Sequence, residues 1–308
     1  MAALLARWAD GGDAISAQKL ADLYETGVDD PDPARRLPAA RLEQAGDLNE
    51  AIKVYGEAAD LGHVPAMLRL AEVLLATPDR KGTGRFWLER AAERDSAEAN
   101  LLLGQLLLGE GEAVRAAHHF EVATRGQYRS EDTRQAAALA LARLLAAGAP
   151  DLPADVPRAV EVLRFSARMP EALNVLADLL LAQPTWTALT VNDAMSARLK
   201  AALGGLRSAQ RTVIWDHFTR RYPESPRWQP AAADLQTMVD WVRRDAQVGD
   251  DQGLYLLAQL TLHGLHGIPA SEAVARDFLS RAVAAGSSDA SRTLKYLTVP
   301  PPTPRVTT

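Results

Sequence analysis

Along most of the chain a small residue opens a short run in which apolar side chains return every three or four positions. In GHVPAMLRLAEVLL, from Gly62, Ala66 is followed by Leu70 and Leu74. That interval is the helical period, so these side chains share one stripe that must face a neighbour. The same cast recurs in RDSAEANLLLGQLLL, where Ala99 stands 33 residues after Ala66, in RQAAALALARLL from Arg134, and in PEALNVLADLLL from Pro170. GDDQGLYLLAQLTL begins at Gly249 and GSSDASRTLKYL at Gly286, 37 residues later, while GDAISAQKLADLYETG begins at Gly12. Between these runs lie further helical patterns: LNEAIKVYGEAAD, GRFWLERAAERD, AVRAAHHFEVATRG, PRAVEVLRFSAR and SEAVARDFLSRAVAAG. Two helices per 33 to 38 residues predict an α solenoid, in which each pair buries its stripe only by stacking on the next.

The small residues have a mechanical task, because two helices close tightly only where one side chain is short. Gly62, Gly126, Gly148, Gly249 and Gly286 stand at or beyond predicted helix ends, where a left-handed turn suits glycine. Asp47 and Ser271 are placed to cap second helices, and Asp95 or Ser96 to cap the AEANLLLGQLLL helix. Pro157 falls at a helix start, where its missing N–H is harmless, and Pro170 marks a boundary.

Composition agrees with helices and narrows the chemistry. Apolar residues make up 47% and aromatics 6%, which excludes disorder throughout, and the Ala and Leu bias disfavours sheet. There is no Cys, so disulfides and thiolate metal sites are excluded. A net charge of -5 gives no basic footprint for nucleic acid. Trp8-Ala9-Asp10 interrupts the first apolar run, and no stretch is long enough to cross a bilayer. The expectation is a soluble chain without membrane insertion, periplasmic if this sequence is a mature form and otherwise cytoplasmic.

QKLADLYETGVDDPDPARRL and YLLAQLTLHGLHGIPASEAVARDFLSRAVAAGSSDA resemble Sel1-type repeats, a branch of the tetratricopeptide-like solenoids. Ala17, Leu20, Ala21, Tyr24 and Gly27 match the first helix of that pattern. Leu256, Ala258, Leu262, Gly264, Gly267, Ala273, Phe278, Leu279, Ala282, Ala285 and Gly286 carry its fullest copy. AGDLNEAIKVYGEAADLGHVPAMLRLAEVLL is similar, more loosely, to the repeat scaffold of bacterial alginate secretion, a periplasmic lipoprotein. The resemblance implies an all-α, right-handed α/α superhelical solenoid of degenerate repeats. It also implies a protein-protein interaction scaffold, in a bacterial envelope or exopolysaccharide export complex, with no cofactor.

The expected organisation is a repeat solenoid over 1–182, an irregular Trp-rich helical segment over 183–244, Sel1-like repeats over 245–298 and a disordered Pro-rich tail over 299–308. Trp186, Trp215, Trp228 and Trp241 lie in the irregular segment. There Trp215, His217, Arg220, Arg221, Tyr222 and Trp228 form the first candidate partner-binding patch, since aromatic residues beside arginines make strong interface anchors. The plainer reading packs Trp215 and Phe218, three apart on one helix, into the core. A second candidate places Arg69, Gln105, Arg143 and Gln259 on a concave wall made by successive first helices. An alternative function from another class is a helical carbohydrate-binding module, with tryptophans stacking on sugar rings and arginines meeting uronate carboxylates.

Motifs for catalysis are missing. His118 and His119 are adjacent and do not share a helix face; His263 and His266 have no third ligand nearby. Glu89 and Glu93 share a face of an ordinary charged helix. The glycine spacing around Lys81 is wrong for a phosphate loop, and there is no GxSxG or HExxH. The sequence reads as a non-enzyme.

Overall fold

A computed structural model describes residues 48–125, 131–183, 187–219 and 228–298. The expected first repeat from Gly12 to Gly27, the cap at Asp47, Gly126, Trp186, the Arg220-Arg221-Tyr222 run and the tail lie outside them. Fourteen α-helices account for nearly all the described residues, which contain no β-strand. The fold is an all-α solenoid of repeated helix pairs of the Sel1-like and tetratricopeptide-like kind, and within each compact unit each helix packs on the next in the chain.

Contacts divide the chain into two units, the boundary falling between Ala167 and Arg168. The first holds α1 (Leu48–Asp60), α2 (Val64–Leu75), α3 (Lys81–Ala92), α4 (Ala97–Gly109), α5 (Ala113–Arg125), α6 (Glu131–Ala147) and α7 (Val156–Ser166), with a 3-10 turn at Pro78–Arg80. The second holds α8 (Pro170–Leu181), α9 (Ala188–Leu203), α10 (Arg207–Phe218), α11 (Ala232–Gln247), α12 (Asp251–His263), α13 (Glu272–Ala284) and α14 (Ser288–Thr298). Even-numbered helices are the first members of each repeat. Neighbouring first helices also touch, α4 with α6 and α10 with α12.

One turn carries the repeat. Before α2, α4, α10, α12 and α14 the preceding helix ends in a left-handed residue, and the next backbone N–H reaches back five residues: His63 to Ala58, Ser96 to Ala91, Leu206 to Ala201, Asp250 to Asp245 and Ser287 to Ala282. This is the 6→1 bond of a Schellman ending. Glycine holds the left-handed position except at Asp95, with φ 59°, where an L side chain costs energy. The following side chain caps the next helix: His63 accepts from Ala66 N–H, Ser96 from Ala99, Asp250 from Gly253 and Ser287 from Ala290. Ser271 caps α13 and Asp155 caps α7, with Pro157 in the first turn as expected.

The turn sets two small residues eight apart against each other. Ala58 and Ala66, Ala91 and Ala99, Ala201 and Ala209, and Ala282 and Ala290 are all buried. Inside a pair the same principle recurs: a Cβ on Gly104 would lie 2.5 Å from the Phe120 ring, so α4 and α5 close with that ring over bare backbone. Around these contacts Tyr55, Met67, Leu70, Leu88 and Leu103 form the core of the first unit. Val213, Ile214, Met238, Val239 and Val242 form that of the second. Each buried Leu-sized side chain contributes about 1.5–3 kcal/mol.

Candidate functional site

The aromatic residues of the second unit converge at the C-terminal end of α10. Trp215, Phe218 and Trp228 are half-buried against the core made by α9, α11 and α12. The Trp215 ring lies 5.8 Å from that of Tyr255 on α12. His217 meets Trp228 edge to face at 5.7 Å and Phe218 at 5.0 Å. Trp228, just before α11, is tethered by its indole N–H, which donates to Ser196 Oγ at 3.3 Å. His266, left-handed in the loop after α12, brings its ring to 5.5 Å from Phe218. The rings therefore have one side in the core and another in water, the arrangement aromatic side chains adopt at interfaces. Of the first candidate set, Trp215, His217 and Trp228 come together; Arg220, Arg221 and Tyr222 lie outside the described residues.

The second candidate set is split between units. Arg69 on α2, Gln105 on α4 and Arg143 on α6 are exposed in the first unit; Gln259 on α12 is half-buried in the second. Gln105 and Gln259 hold one register position, six residues after Ala99 and Gly253, where α2 has Glu72 and α10 has Trp215. Arg69 donates to Glu72 at 3.0 Å. Glu98 on α4 is pushed above the usual carboxylate range, first by loss of water contact and then by Glu72, with Arg69 opposing.

Nothing in the described residues gathers three or more His, Asp or Glu as a metal would require. His118 and His119 meet edge to face at 5.7 Å. His119 Nδ1 pairs with Asn100 Oδ1 at 2.9 Å, and Asn100 in turn donates to the Ser96 carbonyl. Burial, then His118 and Arg115, lower the pKa of His119, with Glu89 opposing. His263 and His266 are exposed. An apolar cleft of about 320 Å³ lies between α12, α13 and their loop, lined by Leu257, Thr261, Ile268, Val274 and Phe278 with Arg243.

Two buried ionic groups escaped sequence reasoning. Arg198, on α9 and 3% exposed, donates to Asp216 of α10 at 2.8 Å and also pairs with Asp178 of α8. Asp245, at the end of α11, binds Arg207 of α10 at 2.7 Å. Burial raises its pKa despite Arg207 and Arg211. The signal for both was register. Arg198 stands three residues before Ala201, where the equivalent helices carry Leu88, Phe120, Val242 and Leu279; Asp245 stands eight before Gly253, where the others carry alanine.

No protein-family model and no curated protein sequence matches the chain. Among solved structures it is similar to a Sel1 repeat protein from Oxalobacter formigenes, with 23% identity and a TM-score of 0.47, covering 96% of this chain and 90% of that one. It is also similar to a protective antigen of uropathogenic Escherichia coli displaying an SLR fold, with 16% identity and a TM-score of 0.46, covering 96% of this chain and 67% of that one.

Proposed function

We propose that this chain is a scaffold that holds another protein, and that it serves a bacterial envelope or exopolysaccharide (alginate-like) export complex in the periplasm. A solenoid fold and the lack of a metal-binding group among the described residues are consistent with a non-enzymatic role. No helix of the described residues is long and apolar enough to cross a membrane. The observation that carries the reading is the half-buried aromatic group of Trp215, His217, Trp228 and Tyr255. Rings already fixed by packing lose little rotamer freedom on binding, so partner contact there is favoured. The export setting is supported by the looser sequence resemblance alone.

The test is a photo-crosslinker placed at His217, and separately at Gln105, in the source cells. The expected result is one protein joined at His217 and absent at Gln105. Equal, diffuse crosslinking at both positions overturns the assignment. The same tryptophans are the stacking faces of the second reading, a module for acidic polysaccharide. Trp fluorescence that shifts with a uronate polymer and not with a neutral one favours it.

A further inference from the structure

At the end of α11, the position held by Ala58, Ala91, Ala201 and Ala282 at the equivalent turns holds Asp245, whose side chain is 1% exposed. A carboxylate there gives up most of its water, a cost that alanine avoids. Its neighbours are three arginines. Arg207 Nη2, at the start of α10, lies 2.7 Å from Asp245 Oδ1, and Arg244 Nε lies 3.4 Å from the same oxygen. Arg211, one turn along α10, is in electrostatic contact with Asp245 and binds Asp250 Oδ2 at 2.9 Å. Two glutamines complete the group. Gln210 donates to the Ala202 carbonyl and accepts from Arg244 Nη2 at 2.9 Å, while Gln252 accepts from Arg211 at 3.5 Å.

These contacts use one or two of the N–H donors on each guanidinium. The three arginine side chains keep 47%, 41% and 45% of their surface open to water. The buried oxygens thus hold the arginines from behind and leave their outer donors free for a planar anion.

We propose that the junction of Arg207, Arg211 and Arg244, set by buried Asp245, is a binding site for carboxylates presented in series by an acidic segment of a partner protein. Asp245 is a positioning residue: it restricts Arg207 and Arg244 before binding, so less side-chain freedom is lost when the ligand arrives. A peptide is favoured over a uronate chain because no aromatic ring belongs to the group. Trp215 stands eight residues further along α10, roughly 12 Å at the helical rise, too far to stack on a sugar whose carboxylate sits here. The inference rests on the scaffold reading for the class of partner.

The experiment is calorimetric titration of a hexaglutamate peptide into the full chain, at low and at physiological salt. The wild type binds, with affinity falling as salt rises. Arg207→Ala combined with Arg244→Ala weakens binding by about tenfold or more. Asp245→Ala separates positioning from simple attraction, because it removes a negative charge. Attraction alone tightens binding in that variant, whereas loss of positioning weakens it by roughly fivefold. Asp245→Asn, which keeps the side-chain shape, shows the same weakening and guards against a packing change beside Gly253. No binding by the wild type, or binding by both Asp245 variants as tight as the wild type, overturns the proposal. Binding of a polyguluronate with none of hexaglutamate overturns the peptide assignment. If hexaglutamate fails while the partner crosslinked at His217 persists, this site falls and the scaffold reading stands.

Discussion

In the first unit the buried positions eighteen residues apart on successive helices carry Tyr55 with Val73; in the second, Arg198 and Asp216 occupy the same two positions. The backbone is unchanged: α9 ends in the same left-handed turn as α1 and α3. One register therefore accepts either an apolar pair or an ion pair. The two fillings differ in how they fail. An apolar contact weakens in proportion to the area lost, whereas a buried ion pair is nearly neutral when complete and costly when one member is removed. Later in the second unit Val242 with Leu260 restores the apolar version, so the ionic one is local to α8, α9 and α10.

The largest expected effect comes from breaking that pair on one side. Arg198→Leu removes the guanidinium that the buried Asp216 carboxylate meets at 2.8 Å and costs about 3 kcal/mol. Arg198→Leu with Asp216→Leu rebuilds the filling of the first unit and returns stability to within about 1 kcal/mol of the wild type, or above it. Urea unfolding of both variants checks the contrast; similar losses in the single and double variants would show that the register does not accept an apolar pair here.

Next in size is the close approach of α11 and α12. A Cβ on Gly253 would lie 2.7 Å from the Ala246 backbone nitrogen, so Gly253→Ala forces the helices apart at a cost of roughly 2 kcal/mol. Gly104→Ala in the first unit meets the buried Phe120 ring at 2.5 Å and costs a similar amount in the same thermal melt. A smaller effect of opposite sign is expected at Asp95. Asp95→Gly relieves the left-handed strain and gains about 0.5 kcal/mol, read as a small rise in Tm.

The smallest effect is a difference in sign between the units on acidification. His119 has a folded pKa below its usual 6.5, so its contribution to stability is present above 6.5 and is lost as pH falls through the folded value. Asp245 has a folded pKa above its usual 3.8; its contribution is present below 3.8 and is lost as pH rises through the folded value. Lowering the pH below 6.5 loosens α5, and lowering it further toward 3.8 tightens the end of α11. Hydrogen exchange, corrected for intrinsic rates, reads both in one sample. Protection moving in the same direction at both helices would refute the pairing of these groups with their burial.

Much of this was legible in the chain. The runs from Gly62, Ala97, Arg134, Pro170, Gly249 and Gly286 fold as the first helices they predict, and Ser96, Ser271 and Pro157 take their expected end positions. These features depend on intervals of three to eight residues, which helical geometry makes local. The meeting of His217 with Trp228 is not legible in the same way, since it depends on Trp228 lying against Ser196 of α9. Arg198 in SARLKAAL looks like any solvent-facing arginine until the distance to Ala201 is compared across repeats.

The sequence by itself determined the element type, the period and the turn, because small residues, caps and apolar stripes act within one helix or between two consecutive ones. Only the tertiary structure decided which charges went inside. Asp216 is eighteen residues from Arg198, and Asp245 is 38 from Arg207. A burial cost is tolerable only where the stacked helices place an opposite charge within about 3 Å, and no local pattern encodes that meeting.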